Sequence, residues 1–373
     1  MPEILETHLA LVILFYFSIL FVVYYFHRVV GKPELHFHRN EKNLRLLSSL
    51  SMLRERYFPT VWCFNRHLML VLILYRDYRS KAYVYDEMEE LKMKDGGITG
   101  LAWTGLPPAG SKTAKTIVVI FHTISGDEQD VKKTLHYIKT TLDCIVVVCI
   151  RRGHGNLPLP TPVFNTMGST SDLKEQLAHI QKRFPKSILF GVGISAGSGL
   201  LARYLGESGS KSVFRAAVAI SPAYDIEKAF HRIHPVYSKL MGQRLVGYFL
   251  KRHYESLSQL PGYLHVSESK SIGEFQDRLH LLSGFDSQKE YYEESNPINV
   301  VKNIKTSLLI LNSKDDPICV DLNVLENLHW LESLPNTILV RTKRGSHIAF
   351  YEGIKAKSWS DRLICEYFSQ FSN

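Results

Sequence analysis

The run Ser187–Leu205, SILFGVGISAGSGLLARYL, limits what this chain can fold into more than any other stretch. It opens with β-favouring residues (Ile188, Leu189, Phe190, Val192), turns through Gly193-Ile194-Ser195-Ala196-Gly197, and continues as a helical run to Leu205. Gly-x-Ser-x-Gly between a strand and a helix is the setting of a nucleophile elbow. So sharp a turn leaves no room for side chains beside the serine, and Gly193 and Gly197 supply the room. Ser195 is then lifted to the tip, and the Ala196 N–H at the helix start can stabilise a developing oxyanion. An ordinary Gly-rich β–α turn is the competing reading of the pentapeptide, and the surrounding sequence decides between them.

Those surroundings alternate strands with helices. Thr116–Phe121 and Cys144–Ile150 are continuous apolar, β-branched runs. Asp172 is predicted to cap a helix with Glu175 in a capping box, and Leu173, Leu177, Ile180 and Phe184 follow at helical spacing. Strands are expected at Val213–Ser221, Ser307–Leu311 and Thr337–Val340, and a last helix at about 354–371. Asp95-Gly96-Gly97 reads as a hairpin turn. Buried, non-alternating strands separated by amphipathic helices imply an α/β fold, its mostly parallel central sheet covered by helices on both faces. The stretch 224–297 breaks this rhythm, with many aromatic, basic and histidine residues. An insertion there is expected to be a mostly helical lid over the Ser195 end of the sheet, lining an acyl-sized cavity. An elaborated surface loop is the alternative.

A serine hydroxyl needs a base, and the base an orienter. On this fold the expected order is Ser, then Asp or Glu, then His, each after a strand. Ser313-Lys314-Asp315-Asp316-Pro317 follows one strand, and Arg344-Gly345-Ser346-His347 follows the last. Among 16 histidines, His347 is singled out by its place between the last strand and the last helix. It would take the Ser195 proton while Asp316 holds the imidazole, with Asp315 serving loop amides. The second oxyanion donor is expected from His122-Thr123-Ile124-Ser125-Gly126, at the Ile124 amide. His122 and Asp127 also form His-x-x-x-x-Asp, a pattern found in acyltransferases, but a histidine that merely ends a strand is the simpler reading.

The N-terminus carries a different signal. Leu9–Phe26 is a run of about 18 residues without a charge, at the lower edge of what spans a bilayer core, and Tyr24 and Tyr25 sit at its end where interfacial aromatics belong. Glu3 and Glu6 precede it in place of a basic region, and no small-residue cleavage site follows, which favours an uncleaved anchor over a signal peptide. Arg28, Lys32, Arg39, Lys42 and Arg45 follow the span, which places the remainder in the cytosol; the absence of Asn-x-Ser/Thr sequons agrees. An internal membrane such as the endoplasmic reticulum is the expected site. Leu68–Tyr75, LMLVLILY, is too short to span and is expected to be buried, a bilayer-touching surface being the alternative. The domains expected are residues 1–31 as anchor, 32–90 as a juxtamembrane segment packing on the core, and 91–373 as the catalytic domain. The net charge of +9 is dispersed, with no nucleic-acid-binding motif; it fits anionic lipid headgroups better. The five cysteines are unpatterned and indicate neither disulfides nor zinc.

Taken together these motifs resemble the membrane-anchored branch of the α/β-hydrolase-domain proteins, AB hydrolase family four. The resemblance is carried by Tyr57-x-Pro59-Thr60-x-Trp62 with His67-Leu68, Asp95-Gly96-Gly97 with Trp103, Arg152-Gly153, and Gly193-x-Ser195-x-Gly197 with Arg203-Tyr204-Leu205-Gly206-Glu207. It continues through Pro222, Glu274-Phe275-x-x-Arg278, Tyr291-Tyr292, Leu311-Asn312-x-x-Asp315-Asp316-Pro317 and Gly345-x-His347-x-x-Phe350-x-Glu352-Gly353, covering roughly residues 57–370. His67-Leu68-Met69-Leu70 departs from the family's His-Leu-Gln-Thr, and His122-Thr123 from its His-Gly. The branch includes YheT-like esterases, medium-chain ethyl-ester synthases, monoacylglycerol lipases and phospholipases. The resemblance implies an α/β-hydrolase fold, Asp316 as the acid because it directly precedes Pro317, and a membrane-anchored serine hydrolase of lipid esters such as monoacylglycerol or phospholipid. Acyl transfer to an alcohol by the same residues, or a scaffold on a hydrolase fold, are the alternatives. No metal or other cofactor is expected. The partners expected are a lipid substrate and the membrane, without nucleic acid; no feature identifies an obligate protein partner.

Overall fold

Uncharged, β-branched runs have no polar face to offer water, so they become strands covered on both sides. In a computed structural model describing residues 2–108 and 116–372, nine strands form one sheet: β1 (Glu34–Phe37), β2 (Glu87–Lys92), β3 (Ile98–Thr104), β4 (Ile117–Phe121), β5 (Ile145–Ile150), β6 (Leu189–Ile194), β7 (Phe214–Ile220), β8 (Ser307–Ser313) and β9 (Thr337–Thr342). Their spatial order is β1-β9-β8-β7-β6-β4-β5-β3-β2. The six strands from β4 to β9 run parallel, while β1 and the β2–β3 hairpin are antiparallel additions at the two edges. Alternation along β4 divides the core: Val118 and Ile120 join Leu135 and Ile138 of helix Lys132–Leu142 and Leu363 and Phe368 of helix Trp359–Ser369. Val119 and Phe121 face the other way, toward Leu173 and Leu177 of helix Thr170–Arg183 and Leu201 and Leu205 of helix Ala196–Ser208.

The Asp95-Gly96-Gly97 turn joins β2 to β3 and is braced from within. Arg152 bridges Asp95 and Asp172 at 2.7 Å each. A Cβ on Gly97 would lie 2.3 Å from the Arg152 guanidinium carbon, so any side chain there would push Arg152 out of its two ion pairs. That engagement corrects the expected cap: Ser169 is the N-cap, its side chain accepting from the Ser171 and Asp172 amides, and Asp172 turns to Arg152 instead.

Three further expectations are revised. The last helix begins at Trp359, not near 354, because Tyr351–Glu352 and Lys357–Ser358 pair as a small hairpin and Ser358 then caps the helix at the Asp361 amide. Residues 34–37, where no strand is expected, form β1 against β9. LMLVLILY lies in helix Arg66–Arg79, and of that helix only Met69 is fully enclosed.

The N-terminal helix Pro2–Tyr24 continues as a π-helical turn through Val29. Its apolar window, Glu6–Val29, has a mean hydropathy of 2.5 and is 6% buried, so it is long and apolar enough to cross a membrane. The stretch between β7 and β8 is built of short helices, among them Ile226–Arg232, Pro235–Leu245, Ile272–Arg278 and Gln288–Ser295, and has its own apolar core around Phe249, Phe275 and Tyr291.

Candidate active site

The elbow is steric in origin. A Cβ on Gly193 would lie 2.4 Å from the Ser198 Cα, and one on Gly197 would lie 2.2 Å from the Phe121 carbonyl oxygen. The backbone can therefore fold back tightly enough to hold Ser195 at φ 55° and ψ −118°, a conformation a non-glycine residue adopts only under constraint. Pairing between β6 and β7 fixes the turn from outside, with the Ser195 amide donating to the Ile220 carbonyl at 2.9 Å.

Across the carboxyl ends of the neighbouring strands stand the other two predicted side chains. His347 Nε2 lies 2.8 Å from Ser195 Oγ, and His347 Nδ1 lies 2.9 Å from Asp316 Oδ2. The second Asp316 oxygen accepts the Ile318 and Cys319 amides at 2.7 and 2.9 Å, so both oxygens of this buried carboxylate are hydrogen-bonded. With Nδ1 donating to Asp316, Nε2 is left to accept from the serine hydroxyl, which is the tautomer a general base requires. The structure thus brings Ser195, Asp316 and His347 into one hydrogen-bonded chain.

The loop carrying His347 is held by residues whose part the sequence shows only faintly. Asp315 Oδ1 accepts the Ser346 amide at 2.9 Å, Ser313 Oγ donates to the Ser346 carbonyl at 2.7 Å, and Ser346 Oγ donates to the Arg66 carbonyl at 2.7 Å. Burial pushes the Asp315 carboxyl up, opposed by that amide and by Arg344. Ser346 and Ile348, on either side of His347, both have positive φ, at 51° and 58°.

Ile124 and Ala196 line the same small cleft as Ser195. Neither backbone amide donates to a protein acceptor among the described residues, so both are free for an incoming oxygen. The loop bearing Ile124 is braced from below: Arg151 donates to the His122 carbonyl at 3.2 Å, and His154 Nε2 lies 3.0 Å from the Ile124 carbonyl. Burial and the adjacent Arg151 hold both imidazoles well below the ordinary histidine value. His122 is therefore a neutral, enclosed support. Asp127 turns away from it to accept the Gln129 amide at 2.8 Å, so the His-x-x-x-x-Asp pattern forms no dyad.

Phe230, Ile233 and Met241, from the stretch between β7 and β8, line the space beside the serine together with Ala223, Ala229, Met167 and Ile318. The space left is about 30 Å³, room for a water molecule and far below the roughly 300–1,000 Å³ of an occupied ligand pocket. A larger cavity, about 990 Å³, lies behind Ile194, Ile220 and Ile348 on the other face of the sheet and does not include Ser195.

Known proteins place this architecture. Human phospholipase ABHD3 is 26% identical over 94% of this chain and 88% of its own length. Monoacylglycerol lipase ABHD2 of Danio rerio is 25% identical over 90% of this chain and 82% of its own. The esterase PF2001 of Pyrococcus furiosus superposes with a TM-score of 0.52 at 18% identity, covering 78% of this chain and 92% of that one, and so shares the fold. Residues 112–328 match the family model Hydrolase_4, described as serine aminopeptidase, S33. That match spans more than half of the chain, and the protein accordingly belongs to the Hydrolase_4 family of α/β hydrolases.

Proposed function

We propose that the protein is a serine hydrolase of lipid carboxylic esters, monoacylglycerol or phospholipid, held at a membrane by its N-terminal helix. The observation that carries this reading is the Ser195–His347–Asp316 chain opening on an apolar cleft. Ser195 Oγ attacks the ester carbonyl carbon while His347 Nε2 takes its proton, and the Ala196 and Ile124 amides receive the oxyanion. Collapse expels the alcohol, which recovers the proton from His347. Water, deprotonated by the same imidazole, then releases the acid and frees Ser195.

The cleft also speaks to substrate class. An aminopeptidase must hold a substrate ammonium, which calls for a carboxylate or a set of carbonyl acceptors in the pocket. Ile124, Met167, Ala223, Ala229, Phe230, Ile233, Met241 and Ile318 supply instead the walls an acyl chain prefers. The similarity to a phospholipase and a monoacylglycerol lipase over most of each chain supports the same reading. In this proposal the helices of 224–297 are the lid that opens to admit the chain.

Covalent labelling with a fluorophosphonate tests the proposal. The parent is expected to label and Ser195→Ala is expected not to; a folded parent that stays unlabelled in both detergent and lipid would sink the hydrolase reading. Orientation is tested separately. In this proposal the catalytic domain faces the cytosol, a reading the basic residues after the span support, so protease added to sealed microsomes is expected to digest it. Protection of the domain would reverse the topology.

A further inference from the structure

Helix Arg66–Arg79 is apolar on both sides, which for so exposed a helix leaves one face without a partner. Its inner face is docked: Met69 is fully buried, and Leu72 and Ile73 pack with Cys63, Ala349 and Tyr351. Arg76 fastens that face by donating to the Ala356 and Lys355 carbonyls at 2.6 and 2.9 Å. The outer face is Leu68, Val71, Leu74, Tyr75 and Tyr78, which are 54, 58, 64, 57 and 88% exposed. Four of these follow the spacing i, i+3, i+7, i+10, a single stripe rather than scattered exposure. Exposed arginines, Arg66 and Arg79, stand at the two ends.

Its neighbours indicate what covers this stripe. The rings of Phe21, Tyr24 and Tyr25 lie 6.1, 6.1 and 6.0 Å from that of Phe64, the residue before the helix N-cap Asn65. The first turn is therefore held against the exit end of the apolar window Glu6–Val29. At the same turn His67 Nδ1 lies 2.7 Å from Tyr237 Oη of helix Pro235–Leu245. That second helix exposes Val236 and Leu240, at 57 and 56%, while Met241 faces the Ser195 cleft. Exposed apolar surface thus runs from the N-terminal helix, along 68–78, to the roof of the cleft.

We propose that the outer face of helix Arg66–Arg79 is a second bilayer contact, lying in the headgroup–acyl boundary of the membrane that holds the N-terminal helix. The inference rests on the anchoring reading above. An apolar stripe with arginines at its ends suits that boundary, where the stripe meets acyl chains and the guanidinium groups meet phosphate. The contact sets the Val236–Leu240 edge of the lid against lipid, so substrate passes from the bilayer to Ser195 without crossing water.

The five native cysteines are all buried, so one introduced at the surface is the accessible thiol. The full chain carrying Val71→Cys, Ile13→Cys or Lys211→Cys is labelled with an environment-sensitive fluorophore and reconstituted in phosphatidylcholine vesicles whose acyl chains bear nitroxides. Position 13 reports the N-terminal helix, and position 211, at the far end of the elbow helix, reports water. The label at 71 is expected to be quenched at least threefold more than that at 211, and about as strongly as that at 13. Equal quenching at 71 and 211 overturns the proposal, whether solvent or a second copy covers the stripe. Quenching at 71 without quenching at 13 upholds the contact and removes the anchor. Superimposable thermal melts establish that each variant is folded, and Tyr78→Cys replaces Val71→Cys if the latter is not.

Discussion

Asp315 and Asp316 leave β8 side by side and reach different partners, Asp315 the Ser346 amide and Asp316 the His347 imidazole. The difference sets the expected cost of neutralising each. In Asp316→Asn the amide preserves shape but no longer favours the His347 tautomer that leaves Nε2 free to accept, so kcat on a soluble ester should fall by about 10⁴. In Asp315→Asn the side-chain oxygen still accepts the Ser346 amide, and the loss should stay within about tenfold. Steady-state kinetics on both variants, with melting curves as a check on folding, separate these roles. Similar losses in the two would mean that the pair acts as one unit. Backbone at this scale is as specific as side chains: Ser195, Ser346 and Ile348 all sit at positive φ, so both the serine and the histidine hang on constrained peptide units.

At the scale of elements, the C-terminal helix shows how burial couples packing to pH. Asp361 sits in its first turn, buried, accepting from Thr134 at 2.9 Å and receiving the Ser358 cap at its own amide. Burial pushes its carboxyl above the ordinary aspartate value despite those bonds. A carboxyl that holds its proton more tightly when folded stabilises the fold below its unfolded pKa of about 3.9 and loses that contribution as pH rises through the folded value. Asp361→Asn, which carries no charge to bury, should therefore gain in Tm relative to the parent on going from pH 4 to pH 8. An unchanged difference at the two pH values would refute this account. The same scale explains what the sequence makes legible. The elbow is written in contiguous residues, and β4 through β9 in runs too apolar to lie at a surface. β1 is not legible, because Glu34–Phe37 is four residues long and pairs with residues 338–341, some 300 positions away. The cap of helix Thr170–Arg183 depends on Arg152 drawing Asp172 aside, a contact no local pattern records. Burial of LMLVLILY fails as an expectation for a physical reason: a short apolar run has the same composition whether its outer face meets protein or lipid.

At the scale of the whole molecule, the candidate serine is in register with its partners and half-buried beside a narrow cleft. All three side chains are in hydrogen-bonding register while only about 30 Å³ remains beside Ser195, so in the proposed reading access for a long acyl chain, not side-chain geometry, limits turnover. In that reading an acyl chain enters when Phe230, Ile233 and Met241 move away, which exposes their apolar surface. Water opposes that exposure and lipid does not, and a surface that favours the open state shifts the population toward it. The roof already carries Val236 and Leu240 on its outside, where a bilayer would meet it. Hydrolysis of a short-chain ester that stays monomeric in water should therefore rise at least tenfold when phospholipid vesicles are added, equivalent to about 1.4 kcal/mol of lid opening. Because the ester itself does not partition, local substrate concentration is not the cause. The rate of fluorophosphonate labelling at Ser195 should rise by the same factor, since it depends on access alone. If vesicles leave both rates unchanged, the roof opens freely in water and the membrane's part is confined to supplying substrate.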